Sequence, residues 1–234
     1  MSLHFAREID KIKSQILALG GQVEECVRNA VQSLFDKNPA LAERVIKGDT
    51  DIDHMEVEVE ESCLKLLALY QPVAVDLRFI VSVLKINNDL ERIGDLGVNI
   101  ARRTLFLTGE GDYMVPDQLS RMAAKARAML RDSLDSLVKN DALLARRVLV
   151  DDQEVDALNR EMFDVVRRRL EAGARNVAAE IHLHAVARFL ERMADHTTNI
   201  AEDVIYLIEG AIIRHSAKKA RAQLDQQSSP GRGT

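Results

Sequence analysis

An all-α fold of two tandem three-helix bundles, six long helices in all, is predicted by three features of the 234-residue sequence. Hydrophobic residues make up 47% of the chain and aromatics only 4%, with no Trp. That palette suits packed helices of Ala, Leu, Val and Ile better than stacked sheets. The four prolines, Pro39, Pro72, Pro116 and Pro230, stand where helices need to stop. The third feature is an internal repeat: "LERIGDLGVNIA" at 90–101 returns as "LERMADHTTNIA" at 190–201.

Proline lacks a backbone donor and biases its predecessor away from the helical region, so the prolines divide the long amphipathic runs. The expected helices are 3–37, then 39–69 from Pro39 to just short of Pro72, then 76–107. "TGEGDYMVPD" at 108–117 reads as a linker, and helices at 118–139, 141–172 and 177–214 follow it. The domains are therefore 1–107 and 118–214, with a polar tail at 215–234 expected to be disordered. Upstream of the first repeated motif, "LAERVIKGDTDID" at 41–53 answers "LARRVLVDDQEVD" at 144–156. A duplicated pattern of this kind marks two similar units that sit in tandem.

A chain of this length buries roughly 70% of its unfolded surface and builds a substantial core. The formal net charge of −5 argues against the long-range attraction that nucleic acid or an anionic membrane needs. Cys26 and Cys63 lie in apolar helical patterns and are expected as buried thiols in a reducing compartment. "MSLHFAREIDKIK" has no signal-peptide core, and no run of 18 apolar residues occurs, so a soluble cytoplasmic protein is expected.

The chemistry lies in carboxylate columns. In the third helix of each copy an apolar stripe runs through Val83, Ile86, Leu90, Ile93, Gly97, Ile100 and Leu107, or Leu183, Val186, Leu190, Met193, Thr197, Ile200 and Leu207. Glu91, Asp95 and Asn99, four residues apart, stack in one line pointing away from that stripe, as do Glu191, Asp195 and Asn199. The column is therefore expected to face outward, and Gly97, in the seam, to permit close helix packing. A second acidic pair, Asp49 and Asp53, recurs as Asp152 and Asp156 at the border of the buried face. Two carboxylates about 6 Å apart repel by roughly 3 kcal/mol at an effective dielectric of 20, so converging columns require a cation. Oxygen ligation of this kind suits hard cations, iron or manganese, with Asn99 or Asn199 as further donors. The alternative is a solvated helix face, with Arg92 and Arg192 three residues before Asp95 and Asp195 supplying ordinary ion pairs.

Other motifs fail on inspection. "DTDIDHMEVEVE" at 49–60 imitates a calcium loop, but His54 replaces the required glycine and the apolar residues continue in helical order. No Glu-x-x-His pair suits a di-iron oxidase, and His182 and His184, two apart, lie on different helical faces. P-loop, Gly-x-Ser-x-Gly and zinc-type Cys/His spacings are absent.

"DLERIGDLGVNIARR", "FLERMADHTTNIAED", "YQPVAVDLR" and "VIKGDTDIDHMEVEVEESC" resemble the signatures of the PhoU family over about residues 5–214. The resemblance implies a non-catalytic, often dimeric cytoplasmic protein that regulates phosphate uptake and keeps the phosphate regulon off when phosphate is plentiful. It implies two partners, the ATPase subunit of the phosphate-specific ABC transporter and a phosphate-sensing histidine kinase. It also implies multinuclear clusters of iron, manganese, zinc or nickel on Asp49 and Asp53, Glu91 and Asp95, Asp152 and Asp156, and Glu191 and Asp195. Met193 and Ala194 depart from the commoner family signature without touching the carboxylates. Asp76 and Arg78 in the connecting motif, and Arg44 with its repeat Arg147, are exposed-type candidates for partner contacts. A competing class is a carboxylate-rich protein for metal storage or oxygen activation, which needs inward-facing carboxylates. Another is a purely structural helical spacer.

Overall fold

The computed structural model describes residues 3–111, 113–210 and 212, so the expected disordered tail at 215–234 lies outside the described residues. The described chain is helical throughout: α1 (Leu3–Phe35), α2 (Pro39–Lys47), α3 (Asp49–Tyr70), α4 (Ala74–Gly109), α5 (Asp117–Lys139), α6 (Ala142–Glu171) and α7 (Val177–Glu209). Bundle one is α1, the α2–α3 arm and α4; bundle two is α5, α6 and α7. The arm expected at 39–69 is stepped at Gly48, which caps both pieces in a near-helical conformation. Its counterpart α6 carries Asp151 at that position and runs unbroken.

The same corner is built twice. Lys37 (φ 51°) and Asn140 (φ 48°) turn left-handed, and the next residue, Asn38 or Asp141, caps the following helix. Asn38 Oδ1 accepts from the Leu41 N–H at 3.0 Å, and Asp141 Oδ1 accepts from the Leu143 and Leu144 N–H groups at 2.9 and 3.0 Å. Each cap satisfies donors that a helix start leaves open. The backbone N–H groups of Asn38 and Asp141 close the corner onto the Ser33 and Ser136 carbonyls, both at 2.9 Å.

The linker is shorter than 108–117 suggests, because α4 continues to Gly109. It is tied down at Tyr113, whose buried ring sends its hydroxyl to the Leu34 carbonyl at 2.8 Å.

The two third helices, α4 and α7, form the centre. Lys85 pairs with Asp203, Asp89 with His196, and Arg103 with His182, an order that makes the helices antiparallel. The expected stripes are buried along both, except that Leu207 is only partly covered. Together with α1, α3, α5 and α6 they close one continuous apolar core.

Gly97 meets its expected purpose. A Cβ there would lie 3.0 Å from Cys26 Sγ and 3.7 Å from the Val27 backbone on α1. Cys26 and Cys63 are free and buried, and burial pushes both thiols up to about 12. Such thiols are inert toward metals and oxidants at neutral pH.

Gly97→Leu is expected to cost about 1–3 kcal/mol by overpacking the α1/α4 contact. Urea unfolding at pH 7 measures it, and an unchanged midpoint would mean that the two backbones stand farther apart. Asp141→Ala should cost about 1 kcal/mol through loss of its two cap bonds, read in the same assay.

Candidate functional site: the acidic seams

Helices α3 and α4 pack antiparallel, and the two acidic columns of the first repeat border their common seam. Asn87, buried on α4, donates through Nδ2 to both the backbone oxygen and Oε1 of Glu56, each at 2.9 Å, which sets the register. One turn on, Asp53 and Glu56 act on Glu91, and farther along Asp95 acts on Asp49.

The column is only partly outward, where its angle from the stripe suggested a fully outward one. Glu91 keeps 24% of its side-chain exposure and Asp95 keeps 44%. The reason is topological: α4 is flanked by α1, α2, α3 and α7, so its buried arc exceeds a half turn. The polar column falls at the border of the solvent-facing strip, beside α3.

The electrostatics follow from that position. Burial, then the neighbouring carboxylates Asp53 and Asp95, push Asp49 above its ordinary 3.8. Burial, then Asp95, with smaller contributions from Glu56 and Asp53, raise Glu91 above 4.5, against the pull of Arg92. Burial also raises Glu56, helped by Glu60 and Asp53.

Arginines already supply cations to the columns. Arg92 reaches Glu91 Oε2 and Asp95 Oδ2, both at 3.4 Å. Arg102 donates to Asn99 Oδ1 at 3.2 Å, and its charge lowers Asp49. The Arg92–Asp95 contact is the ordinary intrahelical pair of the alternative reading. Among the described residues, no three Asp, Glu, His or Cys side chains converge to hold a metal ion. The all-oxygen donors suit a cation in kind; gathering them requires Arg92 and Arg102 to give way.

The second seam has the same antiparallel register. Phe163 lies edge-on to His184 with centroids 5.8 Å apart, and Arg169 pairs with Glu180 at 3.2 Å. That register sets Asp156 opposite Glu191 and Asp152 opposite Asp195, all half-buried. Asn199 does not join its column: its Nδ2 donates to Asp89 Oδ1 on α4 at 3.1 Å. His196, which has Leu96 as its counterpart, meets the same oxygen at 2.7 Å.

Of the four candidate partner residues, Arg44 and Arg147 are exposed. Asp76 and Arg78 are half-buried instead. Asp76 lines a groove of about 430 Å³ with Ile9, Leu17, Phe79, Val138 and Leu207. Arg78 lies over Gly210 at the end of α7, its Nε buried without a partner. The connecting segment turns back toward α7, which covers these two side chains.

A domain model described as "PhoU domain" matches residues 16–104 and again 119–204, one match to each bundle. The chain belongs to the PhoU family. A phosphate-specific transport system accessory protein PhoU homologue of Aquifex aeolicus is 38% identical over 217 residues, covering 93% of this chain and 98% of that one. The crystal structure of PhoU from Pseudomonas aeruginosa superposes with a TM-score of 0.85 at 36% identity, covering 88% of this chain and all of that one. The phosphate transport system regulatory protein PhoU from Streptococcus pneumoniae gives 0.83 at 28% identity, with 89% and 98% covered. Family members thus share the whole two-bundle frame. None of the described helices is long and apolar enough to cross a membrane.

The direction of the carboxyl shifts sets a pH dependence. Asp49 and Glu91 bind protons more readily folded than unfolded, so their contribution to stability falls as pH rises through the window above 3.8 and 4.5. Asp49→Asn/Glu91→Gln should therefore be more stable than the parent at pH 7, by a few tenths of a kcal/mol per site because solvent screens half-exposed groups. The gain should vanish as pH falls below 3.8, where folded and unfolded parent carboxyls alike are protonated. Urea midpoints at neutral pH and in that acid range check this; a loss at pH 7 would show that the seam charges are net stabilising.

Proposed function

We propose that this chain is a non-catalytic cytoplasmic regulator of phosphate uptake. As a homodimer, it would couple the ATPase subunit of a phosphate-specific ABC transporter to a phosphate-sensing histidine kinase and hold the phosphate regulon off when phosphate is plentiful. The match of the PhoU domain to both bundles carries this reading. The chain's relatives, accessory and regulatory proteins of phosphate transport, support the direction. An adaptor needs two ligand-dependent contacts that bias each other, rather than a reactive centre. Exposed Arg44 and Arg147, one on each bundle, are suited to such contacts.

The acidic seams belong to the same proposal as cation sites. Asp49, Asp53, Glu91, Asp95 and Asn99 would hold iron, manganese, zinc or nickel in bundle one. Asp152, Asp156, Glu191 and Asp195 would do so in bundle two, Asn199 being engaged with Asp89. The raised carboxyls of Asp49 and Glu91 support this, since a cation relieves the same repulsion that protonation relieves.

In phosphate-replete medium, deletion of the gene should raise alkaline phosphatase and the wild-type gene should return it to the low level. Activity that stays low on deletion would refute the regulator reading. Elemental analysis of the purified chain should show metal that falls by more than half in Glu91→Ala/Asp95→Ala/Glu191→Ala/Asp195→Ala, an order-of-magnitude expectation for losing two ligands per seam. Equal metal content in parent and variant would remove the seams as its site.

A further inference from the structure

The α4/α7 seam is symmetric in backbone and unsymmetric in charge. At one end, Lys85 pairs with Asp203 at 3.0 Å and lies 5.4 Å from the Tyr206 ring. The repeat counterparts of Asp203 and Tyr206 are Arg103 and Phe106, so the other end presents a cation where its twin presents an acid. The residue facing that cation is His182. Its ring stacks on Phe106 with centroids 3.8 Å apart and planes 28° from parallel. Arg103 Nη1 stands 3.2 Å from His182 Nδ1, and the guanidinium also sits 5.9 Å from the Phe189 ring, one heptad along α7.

A guanidinium has donors only. Nδ1 must therefore be bare and accept, which places the ring proton on Nε2. Protonating Nδ1 would set donor against donor and cation against cation at that distance. We propose that His182 is a proton-sensitive latch on the α4/α7 seam: the neutral ring accepts from Arg103 and closes this end, and the imidazolium releases it.

The charges that reach His182 are Arg103 on α4 and Glu110, which caps its C-terminal end. Arg103 opposes protonation, and Glu110, at the end of the helix, favours it. On the opposite side of α7, Glu180 is held by Arg169 of α6, and His184 turns to Phe163. Burial and Arg103 together hold His182 below its ordinary 6.5. The folded chain thus takes this proton less readily than the unfolded chain. The latch's stability is complete above 6.5 and is lost as pH falls to below the depressed folded value. On release, Glu110 is the carboxylate to which the charged ring is drawn, away from the seam.

The test uses the full chain between about pH 5 and pH 8. Ring-proton NMR should show His182 titrating below 6.5, and Arg103→Gln should raise it. Hydrogen exchange of the 181–187 amides, corrected for intrinsic rate, should quicken severalfold on acidification in the parent. In His182→Gln, whose side-chain carbonyl accepts from Arg103 at every pH, the quickening should fall to what His184, also held below 6.5 by burial, contributes. A His182 titration at or above 6.5, an Arg103→Gln variant that leaves it unmoved, or a parent exchange profile no steeper than that of His182→Gln overturns the latch.

Discussion

The close antiparallel packing of α4 against α7 is the contact on which the rest of the structure depends. Lys85 meets Asp203, Asp89 meets His196 and Arg103 meets His182 across it, while Leu90 and Ile93 of α4 and Leu190 and Met193 of α7 lie almost wholly removed from water in the core, each such side chain giving about 1.5–3 kcal/mol on burial. Because each of these helices is also the third member of its own bundle, the contact joins two cores into one. It also explains the position of the acidic columns. With neighbours on several sides, α4 keeps only a narrow solvent-facing strip, and Glu91 lies at its border beside α3, where burial and the neighbouring carboxylates raise its affinity for protons.

Duplication accounts for the shared frame and for its departures. The left-handed corner, the Asx cap and the serine carbonyl that closes it are repeated, since each satisfies backbone groups that any such corner must satisfy. Side chains at the bundle interface are free to diverge, because the two ends of an antiparallel contact need not carry the same charges. Hence Lys85 and Asp203 hold one end, whereas Arg103 and His182 hold the other. The Asp89 carboxylate also recruits both His196 and Asn199, which takes Asn199 out of its column and makes the two seams chemically unequal.

The arginines change the reading of the columns. Converging carboxylates require compensating positive charge, and in bundle one Arg92 and Arg102 supply some of it from α4 itself. The core itself is apolar and continuous.

Much of this was legible in the chain. Proline positions, the three-four apolar stripes and the repeated motif determine the all-α class, the two bundles and the core-facing residues, because these are properties of helical period and local backbone chemistry. Gly97 likewise announced its close contact. The step at Gly48 and the reach of α4 into the linker were not legible, since they turn on single-residue competition between helix and turn. Tertiary structure alone decided that the acidic column is flanked rather than fully outward, that Arg78 covers Gly210, and that Arg103 meets His182 rather than a carboxylate. A helical wheel gives the direction of each side chain from its own axis. Which neighbours lie in that direction is determined by how two bundles, far apart in sequence, come together.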